Sequence, residues 1–129
     1  MPARSTEAEP AGIIESRVYL PDMLMERQGE LGIDEKQRTA IVAEATRSTQ
    51  EMTKLRWDLE REREALAKLL DAEPVDEAAV AASAKRLTDI ESRIKAVHLA
   101  MLVRVKNLLT PAQKKILRAS QPARVPPVP

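Results

Sequence analysis

The sequence predicts an all-α protein, a long antiparallel helical hairpin with short N- and C-terminal helices, and three observations lead there. Phe is absent, Trp57 and Tyr19 are the only aromatics, and just three Gly occur in 129 residues that are 32% charged. Ala, Leu, Glu, Lys and Arg dominate, and these side chains lose little rotamer freedom in a helix, whereas the β-branched and aromatic residues that suit sheets are sparse. Two long stretches carry a 4,3,4,3 apolar rhythm, and a short Pro-containing segment separates them. The length suits one folded unit.

Residues 1–12 mix Pro, Ser, Thr, Glu and Ala without periodicity and read as a disordered N-terminal segment. A short first helix is expected from about Ile13 or Pro21 to Gln28, with Leu20, Leu24, Gln28 and Leu31 on one side and Gly29 and Gly32 ending it. The second helix runs from Asp34 to about Leu70, with Ile41, Ala45, Met52, Leu55, Leu59, Leu66 and Leu69 on its seam and Ser48 and Glu62 filling the rhythm. The third runs from Asp76 to Leu108 through Val80, Ser83, Leu87, Ile90, Ile94, Val97, Met101 and Leu108, slipping near Arg104 and Val105. Asp71-Ala-Glu-Pro-Val permits only a tight reversal, because Pro74 stops the second helix and Asp76 can cap the third. A fourth helix, Pro111 to about Ser120, joins the first at the open end of the hairpin. There Val97-His-Leu-Ala-Met-Leu-Val is apolar almost all round, as converging helices require. The Pro-rich residues 122–129 read as a disordered tail, leaving 13–121 as the folded domain. A two-helix tip that buries one narrow stripe is marginal alone, so a second copy packing along the hairpin, a homodimer, is the expected completion.

One pattern occurs twice. Ile33-Asp-Glu-Lys-Gln and Leu109-Thr-Pro-Ala-Gln both place an apolar residue before a helix-capping residue, with Gln three positions later. Asp34 or Thr110 at the N-cap can accept from the N3 amide, and Gln37 or Gln113 can reach back to the N-cap amide, which satisfies two otherwise orphaned donors. Pro111 takes the first helical position, where its missing N–H costs nothing. Arg38 and Lys114 occupy the position where a hydrophobic staple would sit, so Ile33 and Leu109 are expected to bury against another helix. Leu109-Thr-Pro-Ala-Gln followed by Lys-Lys, the degenerate first copy with Asp34 in place of Thr, and the order short, long, long, short over about residues 13–121 make the chain resemble the LTxxQ proteins. These include the Spy and CpxP chaperones and the zinc-linked and nickel–cobalt-linked ZraP and CnrX. The resemblance implies a curved, cradle-like homodimer in the periplasm of a Gram-negative bacterium. It also implies one of two roles: binding unfolded polypeptides without ATP in the envelope-stress response, or reporting heavy metal to an envelope signalling partner.

The residues themselves exclude several function classes. Basic and acidic residues number 21 and 20 and are interspersed, so no footprint for nucleic acid exists. The longest apolar stretch, Val97 to Val105, contains His98 and Arg104 and falls short of the ~20 residues of a membrane span. Met1 to Pro10 is polar and unlike a secretory signal, so an exported form has had its signal removed. With no Cys, one His and no glycine-rich phosphate loop, no catalytic constellation is expected and no cofactor is called for. Glu60, Glu62 and Glu64 alternate with arginines as solvated pairs.

His98 and, one turn later, Met101 are weak candidates for a divalent transition metal. The metal-responsive relatives use several histidines, and Leu102 stands where the nickel–cobalt spacing wants Met, which favours packing beside the seam. Trp57 lies off the seam beside Lys54, Arg61 and Glu64, and is read either as a client or subunit contact or as packed under the first helix or the partner. Met23, Met25 and Met52 can offer an adaptable apolar surface or fill the core. Arg56, Arg61, Arg63, Lys68, Lys85 and Arg86 can supply a basic and apolar face or a solvated one. The leading expectation is an ATP-independent periplasmic chaperone for unfolded clients. Its alternatives are a heavy-metal-responsive periplasmic regulator and a structural helical interaction module.

Overall fold

The computed structural model describes residues 12–120; the terminal segments 1–11 and 121–129, and the disorder expected of them, lie outside the described residues. It is helical, without strands among the described residues: a 3-10 turn at Glu15–Arg17, then α1 (Pro21–Glu26), α2 (Gln28–Leu31), α3 (Glu35–Asp71), α4 (Glu77–Asn107) and α5 (Pro111–Ser120). The long helices α3 and α4 pack against each other as a hairpin. α3 stops three residues short of Pro74, and the Ala79 amide donates to Asp76 Oδ1 at 3.1 Å to start α4.

Two compact units divide the chain, Val42–Met101 forming one and the residues up to Ile41 and from Leu102 forming the other. The terminal unit holds most of the apolar core: Tyr19, Leu24, Leu31, Ile41, Leu102, Val105, Leu109 and Leu117 are all buried. Each buried aliphatic side chain of this kind contributes about 1.5–3 kcal/mol. Lys106 secures the N-terminal turn, donating from Nζ to the Arg17 carbonyl at 2.7 Å with its ammonium 5.9 Å from the centroid of the Tyr19 ring.

The short first helix departs from expectation. Arg27, at φ −110° and ψ 18°, breaks it into α1 and α2 and resets the helical phase. Leu24 and Leu31 are therefore buried while Leu20 and Gln28 are exposed, and the four do not form one face. Gly29 lies inside α2 and ends nothing; Gly32 alone terminates it, at φ 69°, a left-handed conformation that needs no Cβ. Burial of residues 97–103 is likewise partial, since Met101 and Leu102 are buried but Leu99 and Val103 are exposed.

In the central unit Leu55, Leu59 and Met101 are the buried apolar residues, and from Glu60 to Ala100 only Ser83 is buried. Polar contacts make up part of the difference. Glu62 accepts from Ser83 Oγ at 3.0 Å and from Arg86 Nε at 3.1 Å across the hairpin. Ion pairs such as Arg47–Glu44, Arg61–Asp58 and Lys85–Asp89 run along the exposed faces and contribute only tenths of a kcal/mol each. In the terminal unit the Arg27 guanidinium hydrogen-bonds Glu30 and holds its carboxyl below the usual range, and Arg38 forms an i,i+3 ion pair with Glu35.

Ser48 is buried on the seam, and among the described residues its hydroxyl has no hydrogen-bond partner. Removing an unsatisfied buried hydroxyl recovers its desolvation cost. Ser48→Ala is therefore expected to raise stability by about 1 kcal/mol, read as a higher urea midpoint at unchanged slope; a loss of stability would show that the hydroxyl is satisfied in the folded protein.

Candidate functional site

Both repeated motifs start helices by the same reciprocal geometry. At α3 the Gln37 amide donates to Asp34 Oδ1 at 2.8 Å, and the Asp34 amide donates to Gln37 Oε1 at 3.1 Å. At α5 the Gln113 amide donates to Thr110 Oγ1 at 3.1 Å, and the Thr110 amide donates to Gln113 Oε1 at 2.9 Å. Two orphan donors are satisfied at each helix start. Leu109 is buried and Ile33 half-buried, while Pro111 opens α5 on its exposed side.

The two glutamines also bond to each other. Gln37 Nε2 donates to Gln113 Oε1 at 2.7 Å and to the Leu108 carbonyl at 3.0 Å. Gln113 Nε2 lies 3.1 Å from Gln37 Oε1, 3.2 Å from the Leu31 carbonyl and 3.4 Å from that of Gly32. Each side chain thus caps its own helix through Oε1 and ties a distant segment through Nε2. Glutamate can serve the first purpose, and only an amide serves both. Sequence reasoning found the two caps and missed the tie. The preference for Gln over Glu at both third positions was the available signal.

The remaining candidates are dispersed. Trp57, on α3 in the central unit, is 75% exposed, so among the described residues neither the first helix nor any other segment covers it. Arg61, one turn on, pairs with Asp58 at 2.7 Å. Met52 is half-buried in the same unit; Met25 is exposed and Met23 half-buried on α1. His98 is half-buried and Met101 buried on α4. The expected face of six basic residues is largely exposed, with Arg61, Arg63, Lys85 and Arg86 drawn into ion pairs with nearby carboxylates. Arg56, Leu59, Glu60, Arg63, Glu91, Ile94 and Lys95 line an open groove of about 510 Å³; Lys95 was not legible as part of it from sequence.

A transition-metal site needs three or four nitrogen, sulfur or oxygen ligands converging on one point. Among the described residues no group of three or more His, Cys, Asp or Glu converges in this way, and the Met101 thioether is in the core. The described residues of one chain do not by themselves assemble such a site. Nor is any helix among the described residues long and apolar enough to cross a membrane.

A hairpin of two long helices whose starting and closing segments are fastened by paired Gln-bearing caps defines a helical protein of LTxxQ type. The sequence model of the heavy-metal resistance family matches residues 7–115, most of the chain, and the protein belongs to that family of Spy-, CpxP- and ZraP-like helical proteins. No curated protein and no solved structure matches it.

Gln113→Ala leaves the Thr110 amide and the Leu31 carbonyl without these partners and is expected to cost roughly 2–4 kcal/mol. Gln113→Glu keeps the capping oxygen but loses both Nε2 donors, and is expected to cost nearly as much. Urea unfolding of these variants and of Gln37→Ala, combined as a double-mutant cycle, should show a coupling above about 0.5 kcal/mol; additive effects would mean that the tie contributes nothing.

Proposed function

We propose that the protein serves heavy-metal resistance in the periplasm as an ATP-independent chaperone or stress accessory, holding unfolded or partly folded polypeptides on an amphipathic surface. The observation that carries this reading is Trp57: an indole 75% exposed on a charged helix face leaves a large apolar ring in water. Aromatic rings are preferred contact residues, because they add area at little entropic cost. The exposed Met25 and the half-buried Met23 and Met52 add thioethers that re-pack around varied clients, and flexible surfaces of this kind suit promiscuous binding. Binding would act through many weak contacts, with no covalent step.

The working form in this reading is a homodimer. From Glu60 to Ala100 the hairpin buries only Ser83, while Leu66, Leu69 and Ile90, outside the groove described above, remain half-buried, a stripe that a second copy can cover.

A second reading, a metal-responsive regulator speaking to an envelope signalling protein, is favoured by the family's description. Its ligands would include His98 and need completion from beyond the described residues.

Purified protein at near-equimolar dimer is expected to suppress light scattering by an unrelated unfolding client, and Trp57→Ala to weaken this several-fold at unchanged helical circular dichroism. Failure with several clients would end the chaperone reading. Calorimetric titration with zinc, nickel and cobalt separates the second: heat that disappears in His98→Ala favours it, and the expected result is no specific heat.

A further inference from the structure

We infer that the open groove in the central unit is a docking site for acidic peptide segments, in which Arg56 and Lys95 receive a carboxylate and the floor holds the apolar side chain beside it. This inference rests on the client-binding reading and names the class of segment bound. The groove lies between α3 and α4 and is about 510 Å³, within the range of ligand-binding clefts. Leu59, buried on the seam, and half-buried Ile94 give it an apolar floor.

The charges on its walls are unequal. Arg63 is engaged by two carboxylates, Glu60 at 3.3 Å and more distantly Glu91 at 4.0 Å. Three cations thus face two anions, and both anions point to the same arginine. Arg56 and Lys95 are exposed, and among the described residues neither makes an ion pair or a side-chain hydrogen bond. Two unpaired cations beside an apolar floor complement a carboxylate next to a Leu- or Ile-like side chain. A segment with lysines in the same places would meet repulsion, so the groove selects by charge as well as by apolar contact.

The test uses the full-length chain and two fluorescently labelled peptides of equal length, one alternating Glu and Leu and the other Lys and Leu. Anisotropy titration at low salt is expected to show the acidic peptide binding at least tenfold more tightly. The preference should shrink as ionic strength rises. In Arg56→Glu/Lys95→Glu the acidic peptide should lose at least tenfold in affinity; Arg56→Gln/Lys95→Gln, which removes charge without adding repulsion, should lose less, and both should retain wild-type circular dichroism. Equal affinity for the two peptides, or no change in either double variant, overturns the groove. If these variants instead dissociate a dimer in sedimentation while wild type binds neither peptide, the groove is a subunit contact and the inference fails. Aggregation suppression measured in parallel keeps the two readings apart. Chaperone activity without charge preference sinks only the groove, and charge-dependent peptide binding without chaperone activity sinks only the broader function.

Discussion

Gln37 and Gln113 are 76 residues apart in sequence and share a reciprocal amide pair, and the architecture of the terminal unit depends on it. Capping alone would leave α3 and α5 as two well-started helices with no fixed relation. The pair sets one helix start against the other, and its spare donors reach the carbonyls that close α2 and follow α4. Gln113 is buried, so its bonds form in a low-dielectric setting where an unmade one is costly. Around this polar knot Leu109 and Leu117 are buried, as are Leu24 and Leu31, so the apolar core and the hydrogen bonds specify the same arrangement.

The central unit follows a different principle. Its seam alternates leucines with Ser48, Glu62 and Ser83, and the cross-hairpin bonds of Glu62 take positions where a coiled coil would bury aliphatic groups. A polar residue on such a seam gives up stability and gains register, because only one alignment satisfies it. Sliding α4 by one turn would separate Ser83 and Arg86 from Glu62. The arrangement leaves the hairpin thinly cored and its outer faces charged.

Much of this was legible in the sequence, for identifiable reasons. The long helices announce themselves through period, and their ends through Asp34, Pro74, Asp76 and Thr110, whose effects are local. The off-seam place of Trp57 was legible too, but the sequence left open whether the first helix covers it, and the structure leaves it exposed. Three features were not legible. The break at Arg27 involves neither Gly nor Pro, so no local residue signal marks it. The Gln37–Gln113 tie joins segments remote in sequence, and its one sequence sign, Gln rather than Glu at both third cap positions, does not say what the spare amide donors reach. Lys95 gains its place only once Ile94 and Glu91 are seen across from Arg56 and Arg63, a juxtaposition that depends on hairpin register.

Because Trp57 is the only indole in the chain and stands in water, the protein carries its own optical gauge of that face. Indole emission moves to shorter wavelength as surrounding water is removed, and the one other aromatic, Tyr19, is buried in the terminal unit. Whatever comes to rest on the Trp57 face of α3, a client segment or another copy, must therefore change the colour and quenching of a single fluorophore, without any label being added.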